Sequence, residues 1–314
     1  MGLSQQPAKA IAVADTVARP RWYSHGLNRL AYYRLASGCA RALPRAPRLA
    51  AARVVGRVLS RWLAGERAGV RRNLARVLPE LGAAALDARV TETFANFAAC
   101  FADLLTLNRG DAAALRSYVV EVTGAEHLDA AFSAEHGAIL LTAHLGNWEL
   151  AGRLLAGRGD RPTHVVLSSE EDAGVERYLR LGGPRLRFVT RRQATSTLGL
   201  LAALRRDELV AMQGDRPTGE RGDVVLPFFG EPAAFPAGPF ILARAAGAPV
   251  LPAFCSMTRD ARYRIDIEPP IWVKPGEEVA AVATMIGALE RAIRAQPTQW
   301  FNFFDVWSLP VAAA

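Results

Sequence analysis

The run Ala138-Ile-Leu-Leu-Thr-Ala-His144-Leu-Gly-Asn-Trp-Glu149 holds the residues best suited to chemistry. An apolar stretch of strand length ends, and a histidine follows at once. Gly146 and Asn147 suit a tight turn, and Glu149 falls in the first turn of the helix that should follow. In a parallel α/β sheet, ligands bind at the carboxyl ends of strands. A histidine there can take a proton from a hydroxyl. A carboxylate one helical turn later can fold back onto its other ring nitrogen, fixing the tautomer and stabilising the imidazolium. Backbone N–H groups at the helix start would stabilise an oxyanion. A bare His-x4-Glu also arises by chance, as a core histidine beside a surface glutamate; its place after a strand sharpens the signal.

The surrounding pattern supplies the elements that must hold this pair. Apolar runs predict strands at Ala138–Ala143, His164–Ser168, Leu186–Thr190, Leu209–Gln213 and Val250–Cys255, with helices between them over 148–156, 173–181, 195–205 and 238–246. Strand–helix alternation predicts an α/β fold with a mostly parallel sheet flanked by helices. Tyr263, Ile265 and Ile267 alternate with Arg264, Asp266 and Glu268, as in a half-exposed strand at a sheet edge, and a last helix covers about 277–295. Residues 21–110 read as an N-terminal helical region, and 111–314 as an α/β core forming one structural unit with it. Residues 1–20 read as flexible. Leu49, Ala52, Val55, Leu59 and Trp62 recur at helical spacing, and Arg53, Arg57 and Arg61 share a face, so this segment is either a basic helix lying in a lipid interface or a solvated face on a core helix. Phe94, Phe97, Phe101, Leu104 and Leu105 line one face of a helix over about 90–108, as plain core or as the border of an acyl-chain pocket.

Composition narrows the function classes. The chain has 314 residues and a formal charge of +8, which favours acidic partners: nucleic acid, anionic headgroups or an acidic carrier protein. No nucleic-acid-binding pattern is present, so nucleic acid is not expected. Cys39, Cys100 and Cys255 show no metal spacing and fit a reducing compartment. The five histidines (His25, His127, His136, His144 and His164) form no ligand pattern, so no metal and no cofactor are expected. Ser168 and Ser169 lack the context of a nucleophile elbow, so no covalent acyl-enzyme is expected. No stretch reaches the roughly 20 apolar residues that a spanning helix needs.

His144-Leu-Gly-Asn-Trp-Glu149 resembles the His-x4-Asp/Glu motif of the glycerolipid acyltransferase superfamily, and in particular its lauroyl/myristoyl branch acting on lipid A precursors. Met212-Gln-Gly214-Asp215-Arg216-Pro217, Phe228-Phe229-Gly230, Phe235-Pro236-Ala-Gly238-Pro239 and Leu242–Pro252 follow in the order that branch implies. Arg72-Asn73-Leu74 with Leu78-Pro79-Glu80 is similar to its N-terminal part. The resemblance implies His144 and Glu149 as the catalytic pair. It implies substrate contacts from Asp215 and Arg216, from Arg191 (with Arg192) after a strand, and from Gly146 and Asn147 in the turn. Asp215 and Arg216 read equally as a structural pair closing a turn; Gly238 reads as a tight helix entry. The branch commonly ends in an aromatic and paired-arginine stretch, whereas this chain has Gln299-Trp300-Phe-Asn-Phe-Phe-Asp305-Val-Trp307, a core strand or an interface belt.

The implied reaction is direct acyl transfer. His144, assisted by Glu149, deprotonates an acceptor hydroxyl or amine, which attacks an acyl thioester on acyl carrier protein or coenzyme A. The acceptor is a membrane lipid, glycolipid or aminoacyl lipid, and the location a peripheral one on an anionic surface, the cytoplasmic face of a bacterial inner membrane. Two alternatives remain at this point: a thioester hydrolase using the same pair, and a non-catalytic basic membrane-binding protein.

Overall fold

The computed structural model describes residues 30–107, 116–155, 161–167, 186–190, 194–218 and 222–308. The expected flexible segment 1–20, the helix at 173–181, Ser168, Ser169, Arg191 and Arg192 lie outside the described residues.

Nine strands are described: β1 Val119–Thr123, β2 Ala138–Thr142, β3 Thr163–Leu167, β4 Leu186–Thr190, β5 Leu209–Gln213, β6 Asp223–Phe228, β7 Glu231–Pro236, β8 Val250–Met257 and β9 Tyr263–Ile267. Seven form one sheet in the order β1-β9-β8-β2-β5-β3-β4. All neighbours in it are parallel except β8 and β9. The expected α/β architecture is therefore present. β2 is buried on both faces, as its unbroken apolar run requires. Its alternate side chains feed two cores. Ala138 and Leu140 join Val70, Leu74, Val90 and Phe94 of the N-terminal helices, while Ile139 and Leu141 join Leu204, Phe240 and Leu289 of the later helices.

The strand over 263–267 is not an edge. It lies between β1 and β8, and β1 takes the edge. Period-two alternation reports which face is buried and says nothing of lateral neighbours. The motif around Phe228-Phe229-Gly230 is a separate β6–β7 hairpin in which Phe228 pairs with Glu231. Its two turn residues both have positive φ, 49° at Phe229 and 83° at Gly230, as a type I′ turn demands.

Among the described residues, four helices precede the sheet: α1 Leu30–Ala42, α2 Arg45–Trp62, α3 Ala64–Val77 and α4 Ala83–Leu107. α2 lies directly on α4, because a Cβ at Gly56 would meet the Phe94 carbonyl oxygen at 2.4 Å. The inward face of α2 is Arg48, Leu49, Gly56 and Ser60. Val55 and Trp62, expected on that face, point outward instead, 54% and 80% exposed. Arg53 turns toward the sheet and donates to Met257 Sδ at 3.4 Å, so the three arginines do not share one solvated face.

Asn73 on α3 ties down the C-terminal segment. Its amide donates to the Asn302 and Phe304 carbonyls (2.9 and 2.8 Å), and its Oδ1 accepts from Val306 N–H at 3.1 Å. The aromatic stripe of α4 packs edge-on to the same segment, Phe94 on Phe303 and Phe97 on Phe301 at centroid distances of 5.0 and 5.3 Å. Asn73→Ala should lower stability by about 2–4 kcal/mol, because buried backbone groups lose their partners. The check is the denaturant midpoint, with the slope unchanged.

Candidate active site

The register of two parallel strands builds the centre. Thr142 of β2 lies opposite Gln213 of β5. His144 and Asp215 each stand two residues beyond that pair and so meet at the carboxyl ends of adjacent strands. His144 Nδ1 and Asp215 Oδ1 are 2.8 Å apart, and the His144 backbone N–H donates to Asp215 Oδ2 at 3.1 Å. Two further donors, Trp300 Nε1 at 3.1 Å and Asn302 Nδ2 at 2.9 Å, converge on the same Oδ2. The Trp148 ring stands edge-on to the imidazole, centroids 5.0 Å apart.

The chain turns sharply after His144. Gly146 has φ +57°, and a Cβ there would lie 1.9 Å from the Cys255 carbonyl oxygen. Both facts exclude a side chain. Gly146 N–H donates to Gln299 O at 2.8 Å, Asn147 N–H to Cys255 O at 3.0 Å, and Phe301 N–H to His144 O at 2.7 Å. Helix α6, Trp148–Leu155, starts here, with Glu149 in its first turn and Asn147 Oδ1 accepting from Leu150 N–H at 3.3 Å. (Helix α5 is Ala125–Ser133.) Gly238, by contrast, has open space where its Cβ would be.

Charge sets the imidazole's state. Burial and the nearby Arg216 guanidinium push His144 below its ordinary 6.5, against the pull of Asp215. Burial alone would raise Asp215, yet His144, Arg216 and the Asn302 amide together hold it well below the carboxylate range. An ionised Asp215 only accepts hydrogen bonds, so Nδ1 carries the proton and Nε2 keeps its lone pair. That arrangement makes Nε2 a base at neutral pH.

The residues expected from sequence divide accordingly. His144, Gly146, Asn147, Glu149, Asp215 and Arg216 gather around one turn. It is Asp215 that meets Nδ1, the position the sequence suggested for Glu149. Arg216 donates to Asn302 Oδ1 at 2.6 Å and to Phe301 O at 3.0 Å, so it braces the C-terminal segment. The Asn147 side chain points away from the imidazole, into the core. Trp300 and Asn302 were not singled out as site residues, although the aromatic stretch containing them was. That stretch is neither a sheet strand nor an interface belt: residues 300–303 are buried and pair with the turn through the Leu145–Trp300 bridge.

A family model for bacterial lipid A biosynthesis acyltransferases matches residues 32–308. The chain belongs to this family. It is therefore an acyltransferase, as the resemblance of its motif implied. The phosphatidylinositol mannoside acyltransferase of Mycobacterium tuberculosis (strain CDC 1551 / Oshkosh) is 28% identical over 251 residues, 76% of each chain. The lipid A biosynthesis palmitoleoyltransferase of Escherichia coli (strain K12) is 28% identical over 185 residues, 57% of this chain and 58% of that one. The lipid A biosynthesis lauroyltransferase of the same strain is 25% identical over 183 residues, covering 57% and 59%.

Two outcomes are expected of the acyltransferase. Asp215→Asn should cut kcat/KM on the order of 100- to 10,000-fold, since it frees the tautomer and removes the charge facing the imidazolium, and Glu149→Gln should cost less; transfer rates of the two variants check the ranking. The acidic limb of kcat/KM should fall below pH 6.5. Arg216→Gln, which removes a cation that opposes protonation, should move that limb to higher pH in a pH–rate profile.

Proposed function

We propose that this protein moves a fatty acyl chain from a thioester, on acyl carrier protein or coenzyme A, to a hydroxyl or amine of a membrane lipid or glycolipid. The observation that carries the reading is the His144–Asp215 contact at the carboxyl ends of β2 and β5, which leaves Nε2 free to accept a proton. Nε2 takes the acceptor's proton as its oxygen or nitrogen attacks the thioester carbonyl. The tetrahedral intermediate collapses, the thiolate leaves, and the imidazolium returns the proton to it. Asp215 stabilises the imidazolium through Nδ1, and Glu149 assists by its charge from the first turn of α6. Relatives named for a mannosylated phosphoinositide and for lipid A both support a glycolipid acceptor.

The membrane side of the reading rests on α1 and α2. No helix among the described residues is long and apolar enough to cross a membrane. Tyr32, Leu35, Val54, Val55, Val58 and Trp62 are nonetheless exposed on these two helices, and Leu43 is exposed in the turn between them. Residues 16–65 contain ten arginines and no acidic residue. Apolar side chains beside arginines, with no acidic group among them, match an anionic bilayer surface. This is the arrangement of a peripheral protein on the leaflet where its lipid acceptor lies.

The test incubates wild type, His144→Ala and Glu149→Ala with labelled acyl carrier protein, or labelled acyl coenzyme A, and bacterial lipid extract. Wild type should label a lipid, His144→Ala should not, and Glu149→Ala should label it more slowly. Release of free fatty acid alone, with acceptor present, would contradict transfer. Val58→Glu/Trp62→Glu should lose co-sedimentation with vesicles containing anionic phospholipid while retaining its fold by circular dichroism.

A further inference from the structure

A second buried carboxylate lies behind the catalytic turn, away from the imidazole. Asp103 on α4 is completely buried. Arg45 of α2 grips it through two nitrogens (Nε to Oδ1 at 3.2 Å, Nη2 to Oδ2 at 2.6 Å), and Arg48 Nη2 reaches Oδ1 at 3.1 Å. The hydroxyl of Tyr263, first residue of β9 and also fully buried, donates to Asp103 Oδ2 at 2.9 Å. The Tyr263 hydroxyl oxygen in turn accepts from Asn147 Nδ2 at 3.1 Å, and Nδ2 also reaches the Cys100 carbonyl at 3.3 Å. An unbroken chain of side-chain contacts thus runs from α2 through Asp103 and Tyr263 to the residue three positions after His144.

We propose that Tyr263 and Asn147 are positioning residues for His144, with Asp103 as their anchor; the proposal rests on His144 being the base. Asn147 has two jobs at one point in the chain. Its Oδ1 starts α6, and its Nδ2 fixes how deep the turn sits against α4. The Tyr263 ring alone would fill the core, and phenylalanine would do that equally well. The hydroxyl adds only the link between a fixed charge and the turn. Hydrogen bonds to an ionised, buried acceptor are short, strong and directional. Asp215 and the C-terminal segment hold the turn from the sheet side, and Tyr263 holds it from the helix side. Between them His144 has one position. Because the anchor is gripped by α2, the chain also sets His144 at a fixed place relative to the exposed apolar face of α1 and α2.

A misplacement of about 1 Å costs on the order of 100-fold in rate, so loss of this link should cost about tenfold. Tyr263→Phe keeps the ring and removes the hydroxyl. Asn147→Ser keeps a helix-capping oxygen and removes the donor. Rates are scaled to the folded fraction measured by thermal melting. Each variant should lose about tenfold in kcat with KM for the acyl donor within about twofold, and the double variant should be no slower than the slower single one. Normal kcat per folded molecule in both variants, with wild type transferring and His144→Ala inactive, would overturn the proposal and leave the assignment of the base intact. Multiplying losses in the double variant would overturn it as well, since the two residues would then act separately. Transfer surviving in His144→Ala would remove the base, and the proposal with it.

Discussion

The buried carboxylate of Asp215 is the constraint around which the carboxyl end of the sheet is built. Removing an ion of this size from water costs several kcal/mol even in a relaxed protein interior. Four donors offset that cost: the His144 backbone and ring, Trp300 Nε1 and Asn302 Nδ2. A hydrogen bond to a charged group contributes about 1.5–3 kcal/mol net, and removing one donor would leave the buried charge short of a partner. Each donor comes from a segment that must therefore be where it is. β2 and β5 must be neighbours in register, and residues 300–302 must cross below the turn. Asn73 on α3 then holds that crossing segment from outside. The N-terminal helices thus brace the carboxyl end of the sheet, besides covering its face.

The same charge arrangement explains why His144 is suited to take a proton. Asp215 alone would favour imidazolium, but burial and the Arg216 guanidinium outweigh it. The ring rests neutral, oriented by one nitrogen and basic at the other. Arg216 also joins the C-terminal segment to the strand end that carries Asp215, so the residue that keeps the imidazole neutral also braces its surroundings. As pH falls, both groups act in one direction. His144 has a depressed folded value, so the unfolded chain takes up its proton first. Asp215, far below its ordinary value, contributes stability that is present above the unfolded carboxylate range and lost as pH falls toward the folded value.

Much of this architecture was legible in the sequence where information is local. β4 and β5 begin and end where their apolar runs do, and His144, Gly146, Asn147 and Glu149 lie within six consecutive residues. The edge strand β1 escaped notice because three of its five residues are exposed and its run Val-Val-Glu-Val-Thr lacks clean alternation. The β6–β7 hairpin escaped because Pro227, Pro232 and Pro236 argue against strands; Pro227 and Pro232 face each other across it. The partner of His144 was hidden by topology. Asp215 lies 71 residues away, and β2 and β5 are neighbours only because β3 and β4 are set outside them. A strand's end can be read from one sequence; the strand beside it cannot. For the same reason the outward turn of Val55 and Trp62 was unreadable, since the inward face of α2 is set by Gly56 against Phe94 and by Arg48 on Asp103.

The central claim is that a neutral His144, protonated at Nδ1 by virtue of Asp215, offers Nε2 as the base. Nitrogen-15 NMR of histidine-labelled protein tests it most directly, with the His144 signals assigned by their loss in His144→Gln. At pH 7 the account predicts a protonated Nδ1 and an unprotonated Nε2, with conversion to imidazolium only below pH 6.5. A proton on Nε2, or an imidazolium already at pH 7, would contradict it.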